Sequence, residues 1–167
     1  VIDPVLVSKH GHALADDTAV AAYRESLLPI ATVLTPNRFE AERLLGVTLD
    51  PSDESAFVDA ALGLNQLGSR FVVLKAGRIG AIRRHIIAYD GETWTIDLND
   101  LDGNHNHGAG CALSAIITAK LAEESFCGDQ VDVPAAIRFA IQAVHRAIWL
   151  APKIGQGCGP IESRALD

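Results

Sequence analysis

The stretch Asn106-His107-Gly108-Ala109-Gly110-Cys111, followed by the apolar run Ala112-Leu113-Ser114-Ala115-Ile116-Ile117, has residue types and spacing that could do chemistry. Two glycines around an alanine do not suit a helix interior, yet the residues after them repeat at helical spacing. The segment therefore reads as a tight loop that turns straight into a helix N-terminus. Such a terminus presents unpaired N–H groups and the positive end of the helix dipole, where a phosphate or another anion is stabilised. Glycine lets the backbone come close to that anion because no Cβ intervenes. A cysteine at the same point has its thiolate favoured. Gly108, Ala109 and Gly110 thus form a candidate anion cradle beside Cys111, a candidate base or nucleophile.

Other candidates follow from the rule that ligands of open parallel sheets sit at the carboxyl ends of the strands. The apolar run 31–35 ends in Thr35-Pro36-Asn37, and Glu40 lies three residues beyond Asn37. On a helix that spacing puts an amide and a carboxylate one turn apart on one face. Hard oxygen ligands of this kind suit Mg²⁺, held through water and substrate phosphates. The same spacing is that of a helix cap, with Asn37 as N-cap and Glu40 at the third helical position. Lys75 ends the run 71–75 and precedes Ala76-Gly77. It is either a phosphate-reaching cation or an exposed strand-end lysine. Asp3 interrupts an otherwise apolar strand before Pro4, so it needs a metal, a cap or a backbone donor as partner.

His105, His107 and Cys111 could instead ligate a metal, but no second Cys/His pair stands at zinc-site spacing. His10, His12, His85 and His145 have no partner motif, which makes a surface or structural role the default. Cys127 and Cys158 read as incidental. Walker A, Gly-x-Gly-x-x-Gly and Gly-x-Ser-x-Gly patterns are all absent from the sequence.

The elements that must position these residues alternate between short β-branched runs and helical patterns, which predicts an α/β fold with a largely parallel sheet. Strands are expected at 1–7, 31–35 and 71–75, and a hairpin at 84–89 and 92–98 around Asp90-Gly91. Helices are expected at 17–28, ended by Pro29, at 40–45, at 54–67, at about 109–124 and at about 133–150. Residues 99–107 read as a polar loop over the site. The tail, with Gly155, Gly157, Gly159 and Pro160, reads as irregular.

At 167 residues, 49% apolar and 21% charged, the chain has the make-up of one globular domain. No apolar run approaches a membrane span. Fourteen Lys and Arg against 21 Asp and Glu give a net charge of −7, which argues against nucleic acid as a partner. Three widely spaced cysteines suit a reducing cytosol, hence a cytoplasmic location. There is no methionine, and the chain opens directly on what reads as a buried strand, so a longer protein is expected.

Together these residues resemble the ribokinase-like superfamily, and within it the hydroxymethylpyrimidine and phosphomethylpyrimidine kinases. Asp3-Pro4-Val5 resembles that family's Asp-Pro-Val strand, and Thr35-Pro36-Asn37 with Glu40-Ala41 its Thr-Pro-Asn-x-x-Glu-Ala segment. Lys75 with Gly77 resembles its Lys-Gly-Gly turn, with Ala76 in place of the first glycine. His107 to Cys111 resembles its His-Gly-(Thr/Ala)-Gly-Cys loop, and residues 155–160 its glycine-rich ending.

The resemblance implies a three-layer αβα ribokinase-like fold lacking its N-terminal part, with residues 1–167 the C-terminal portion of a single kinase domain. It implies that Asn37, Lys75 and Gly77 bind ATP, that Glu40 and Asp3 serve Mg²⁺, and that Val5 lines the substrate pocket. Gly108, Ala109 and Gly110 would hold the transferring phosphoryl group, with Cys111 as catalytic base. The implied substrate is hydroxymethylpyrimidine or its monophosphate, for thiamine diphosphate synthesis; the implied assembly is a homodimer. Cysteine-bearing pyridoxal kinases on the same scaffold are the near alternative. A non-catalytic nucleotide-binding remnant is the alternative from another class.

Overall fold

In a computed structural model, the structure describes residues 1–7, 12–101, 103, 105–128, 130–152, 154 and 157–166. His10 and the tail residues Gly155 and Gln156 lie outside that set. The chain divides into two compact units, Val1–Asn99 and Asp100–Asp167.

In the first unit, α1 (Asp17–Ala22) continues through a π-helical turn (Tyr23–Leu27) into a 3₁₀ turn (Leu28–Ile30). The expected helix 17–28 therefore changes its winding after Ala22, as the chain approaches Pro29, which has no N–H to give a helix. Next come β1 (Val33–Leu34), α2 (Arg38–Leu45) and α3 (Glu54–Gln66), then β2 (Phe71–Ile79), β3 (Ile82–Tyr89) and β4 (Glu92–Asn99). The four strands form one sheet in the order β1-β2-β3-β4.

Only β1 and β2 run parallel, with Val33 opposite Phe71; β3 is antiparallel to both β2 and β4. This corrects the expectation of a largely parallel sheet. A parallel pair needs a long crossover, here supplied by α2 and α3, whereas the tight turns at Gly80 and at Asp90-Gly91 can join only antiparallel neighbours.

The opening segment is also less regular than the strand expected at 1–7. Ile2 bridges Leu34 in parallel, and Ile2 N–H donates to the Val33 carbonyl at 2.8 Å. Pro4 has no N–H with which to extend a ladder, and the chain turns locally, with Val5 N–H donating to the Asp3 carbonyl. Conversely β2 outruns its expected end at residue 75 by four residues, because the chain absorbs a bulge at Ala76 and pairs on to Ile79.

Period-2 burial on the sheet meets period-3.6 burial on the helices. Val72 and Leu74 of β2 share a face with Ala88 and Ile86 of β3, and this face packs with Leu44 of α2 and Phe57, Ala61 and Leu64 of α3. Each large side chain so buried contributes roughly 1.5–3 kcal/mol of transfer free energy.

In the second unit, α4 (Ala109–Cys127) packs on α5 (Val133–Trp149), slightly offset from the ranges expected. Asp132 caps α5 by accepting from Ala135 N–H, and Pro134 sits in its first turn. The helix buries Ile137, Ala140, Ile141, Val144 and Ala147 along one stripe. The tail is not wholly irregular. His107 N–H donates to the Gly159 carbonyl and Ile161 N–H to the His107 carbonyl, both at 3.1 Å. Among the described residues no helix is long and apolar enough to cross a membrane.

Gly68 closes α3 with φ +114°, and a Cβ there would lie 2.8 Å from Pro29 Cα. Gly68→Ala is expected to lower stability by about 1–3 kcal/mol through backbone strain and that clash. Urea denaturation checks it. Loss no greater than that of Gly46→Ala, where φ is +72° but the space is open, would contradict the steric part.

Candidate functional site

Pairing of the first unit's parallel strands does not stop with β1. Lys75 N–H donates to the Pro36 carbonyl at 2.9 Å, and Asn37 bridges Lys75 in parallel. The loop leaving β1 is thereby held beside the middle of β2. Lys75 is thus not at a strand end, as the sequence suggested, but immediately before the bulge. Its Nζ donates to Asp3 Oδ1 at 3.5 Å, and the same oxygen accepts from the buried Thr35 hydroxyl at 3.1 Å. Asp3 finds its partners in these two donors.

Asn37 and Glu40 form a reciprocal capping box on α2. Glu40 N–H donates to Asn37 Oδ1 at 3.0 Å, and Asn37 N–H donates to Glu40 Oε2 at 2.7 Å. Capping is therefore present, and it engages one oxygen of the Glu40 carboxylate. That side chain is nearly enclosed, the residue being 3% exposed. Burial pushes its pKa up from 4.5 to about 6; the Asn37 N–H and the Lys75 charge oppose the rise, and Asp3 adds to it. Asp3, Asn37, Glu40 and Lys75 thus come together, with Thr35 among them. Gly77 stands just past the bulge in left-handed backbone, φ +92°, and Val5 stands on the opening turn, 49% exposed. Among the described residues no three His, Cys, Asp or Glu side chains gather as a metal cluster.

His85 was missed as a site neighbour. A regular hairpin about Gly80 would pair it with Ala76, but the bulge shifts it opposite Lys75. Its Nδ1 is buried without a hydrogen-bond partner. Burial, with Arg83 and Lys75 nearby, pushes its pKa down to about 4. Only the bulge, invisible in the residue pattern, would have revealed this position.

The second unit supplies the anion cradle expected at 108–111. Gly108 is the N-cap of α4, with φ +88° and no side-chain cap. Ala109 N–H donates to the Asn106 carbonyl and Ala112 N–H to the Gly108 carbonyl. Between them lie the first-turn N–H groups of Gly110 and Cys111. Cys111 is exposed, and its carbonyl accepts from the Ser114 hydroxyl at 3.0 Å. Cys158, expected to be incidental, donates its thiol to Asn106 Oδ1 at 3.4 Å and so ties the tail to this loop.

Two chemically distinct sites are therefore present: a lysine held between carboxylates in the first unit, and a helix N-terminus bearing a thiol in the second. Against known proteins, residues 1–162 match the family model described as phosphomethylpyrimidine kinase. The chain belongs to that family.

A hydroxymethylpyrimidine/phosphomethylpyrimidine kinase of Streptomyces coelicolor is 36% identical over 162 residues, 97% of this chain and 57% of that protein. A thiamine biosynthesis bifunctional protein of Geobacter sulfurreducens is 38% identical over 162 residues, 96% of this chain and 31% of that protein. Among solved structures, an ADP complex of Bacillus subtilis pyridoxal kinase superposes with a TM-score of 0.86 at 32% identity, covering 99% of this chain and 60% of that one. These matches bear out the ribokinase-like α/β fold. The chain spans little more than half the length of its Streptomyces relative.

Between pH 4.5 and 6 the folded family member holds a proton on Glu40 that the unfolded chain has released. This group's contribution to stability is fully present below about 4.5 and is lost as pH rises through 6. Glu40→Gln should flatten that part of a plot of urea midpoint against pH. An unchanged slope would show that Glu40 does not carry it.

Proposed function

We propose that the chain carries ATP-binding and catalytic groups of a kinase that phosphorylates the hydroxymethyl group of hydroxymethylpyrimidine, and its monophosphate, for thiamine diphosphate synthesis. The observation that supports this best is the gathering of Asp3, Asn37 and Glu40 around Lys75 beside the parallel strand pair. In this reading Lys75 neutralises charge on the ATP phosphates, with Asn37 and Gly77 beside it. Val5, exposed on the opening turn, lines the substrate pocket.

The acidic groups suit Mg²⁺ in its usual form, bound through few carboxylates with water and substrate phosphates completing the shell. Glu40 and Asp3 would hold it, and the ion would neutralise charge on the phosphates. In the second unit the Gly110 and Cys111 N–H groups and the helix dipole stabilise charge on the transferring phosphoryl group, with Gly108 and Ala109 shaping the turn. Cys111 takes the proton of the substrate hydroxyl as its oxygen bonds to the γ-phosphorus and the bond to ADP breaks. The enzyme would work in the cytoplasm as a homodimer.

A second reading is pyridoxal kinase, favoured by the likeness to the Bacillus pyridoxal kinase structure. Both substrates present a hydroxymethyl group on a flat nitrogen heterocycle, so a panel containing both separates the readings.

Cys111→Ala is expected to lower turnover by about 10²–10⁴-fold, the usual worth of a general base. Binding of a fluorescent ATP analogue should stay within about twofold, because the N–H donors and Lys75 remain. Turnover unchanged in the variant would remove Cys111 from the base role. ATP binding with no turnover in the native chain would favour the non-catalytic remnant.

A further inference from the structure

The bulge at Ala76 does more than move His85. It sets the register of the β2–β3 hairpin so that Lys75 lies opposite His85 and Arg78 opposite Arg83. Directly opposed residues of antiparallel strands share a face, and along β3 His85 and Arg83 are two residues apart. Lys75, Arg78, Arg83 and His85 thus form one row on the sheet face opposite Leu74 and Ile86.

Opposed like charges destabilise a sheet, so an Arg78–Arg83 pair has a cost that folding alone does not explain. The flanking β4 positions on this face are Ile96 and Leu98, opposite His85 and Arg83, and neither brings a negative charge. The contrast with Arg84 is informative. It points to the other face and is fully engaged, with Nη2 2.6 Å from Asp97 Oδ2 and Nη1 on Glu54. Overall the chain is strongly acidic, at −7, yet this row gathers three cations.

A second observation lies in the middle of the row. His85 Nδ1 is buried with no partner, although such an atom ordinarily finds one. The charged groups around the imidazole are Lys75 on β2, Arg83 on its own strand and Asp97 on β4. Arg78 and Arg83 both have polar contacts of their own. A guanidinium has five donors, so such contacts do not exhaust it.

We propose that Lys75, Arg78 and Arg83, with His85 between them, form an anion-binding row that holds the polyphosphate of the nucleotide. This deepens the kinase reading and rests on it only for the identity of the ligand. The chemical class recognised is a linear polyphosphate, whose successive charges match cations spaced along the hairpin.

The test uses inorganic tripolyphosphate as probe, titrated by calorimetry into the native chain and two double variants. Arg78→Gln with Arg83→Gln removes the row's arginines. Arg24→Gln with Arg70→Gln removes the same net charge elsewhere in the unit. The first should bind at least about tenfold more weakly and the second within about twofold of native. Equal weakening in both would mean non-specific attraction only and would overturn the proposal, as would native-like binding by the first or no binding by the native chain. Thermal melts of each variant confirm folding, and Arg→Lys at both row positions, which keeps the charge, should restore much of the binding. Kinase turnover is measured separately. Row-dependent binding without turnover would defeat the kinase reading alone, and turnover without row dependence the row alone.

Discussion

The ammonium of Lys75, set among the carboxylates of Asp3 and Glu40, is the interaction on which the polar end of the first unit depends. Two largely enclosed carboxylates without a cation would repel each other and lose solvation together. The lysine relieves both, yet its contact with Asp3 is long, at 3.5 Å. A long, charge-balanced contact keeps the lysine in place without committing it to one tight partner. Thr35 takes up part of the hydrogen bonding to Asp3, so the carboxylate is oriented even when the lysine is drawn to another anion.

Backbone pairing delivers that arrangement. Parallel pairing of β1 with β2 persists past the last regular residue, through the Pro36 carbonyl, and brings Asn37 alongside Lys75. The capping box then starts α2 at once and leaves no freedom in where Glu40 points. Capping and ligand binding looked like rival explanations of the Asn37–Glu40 spacing. They are compatible, because the cap occupies Oε2 and fixes the orientation that any function of the remaining carboxylate would need.

Legibility in the sequence followed how local each determinant is. The start of α4 at the glycine loop and the turn at Asp90-Gly91 were readable because glycine and turn chemistry act within four residues. The family motifs also pointed to the residues that gather around Lys75. The continuation of β2 to Ile79, the pairing of Lys75 with His85 and the loss of a ladder after Pro4 were not readable as patterns. A bulge is a choice between two registers of the same residues, decided by packing of Leu74 and Ile86 on one side of it and by Arg84 reaching Asp97 and Glu54 on the other. The sheet's direction failed for a similar reason: β2 looked like a parallel core strand because its first four residues are apolar on both faces, whichever way its neighbours run.

The two units handle negative charge by different physics. The first uses formal cations on strands, whose pull reaches several ångströms and weakens with salt. The second uses N–H groups at a helix end, which act only at hydrogen-bond distance and lose little to ionic strength. Long reach suits gathering and retaining a polyphosphate, while short reach suits charge that develops on one group during a reaction. A chain of net charge −7 that concentrates cations along one hairpin face and leaves the first turn of α4 without a side-chain cap has separated the two tasks between its units.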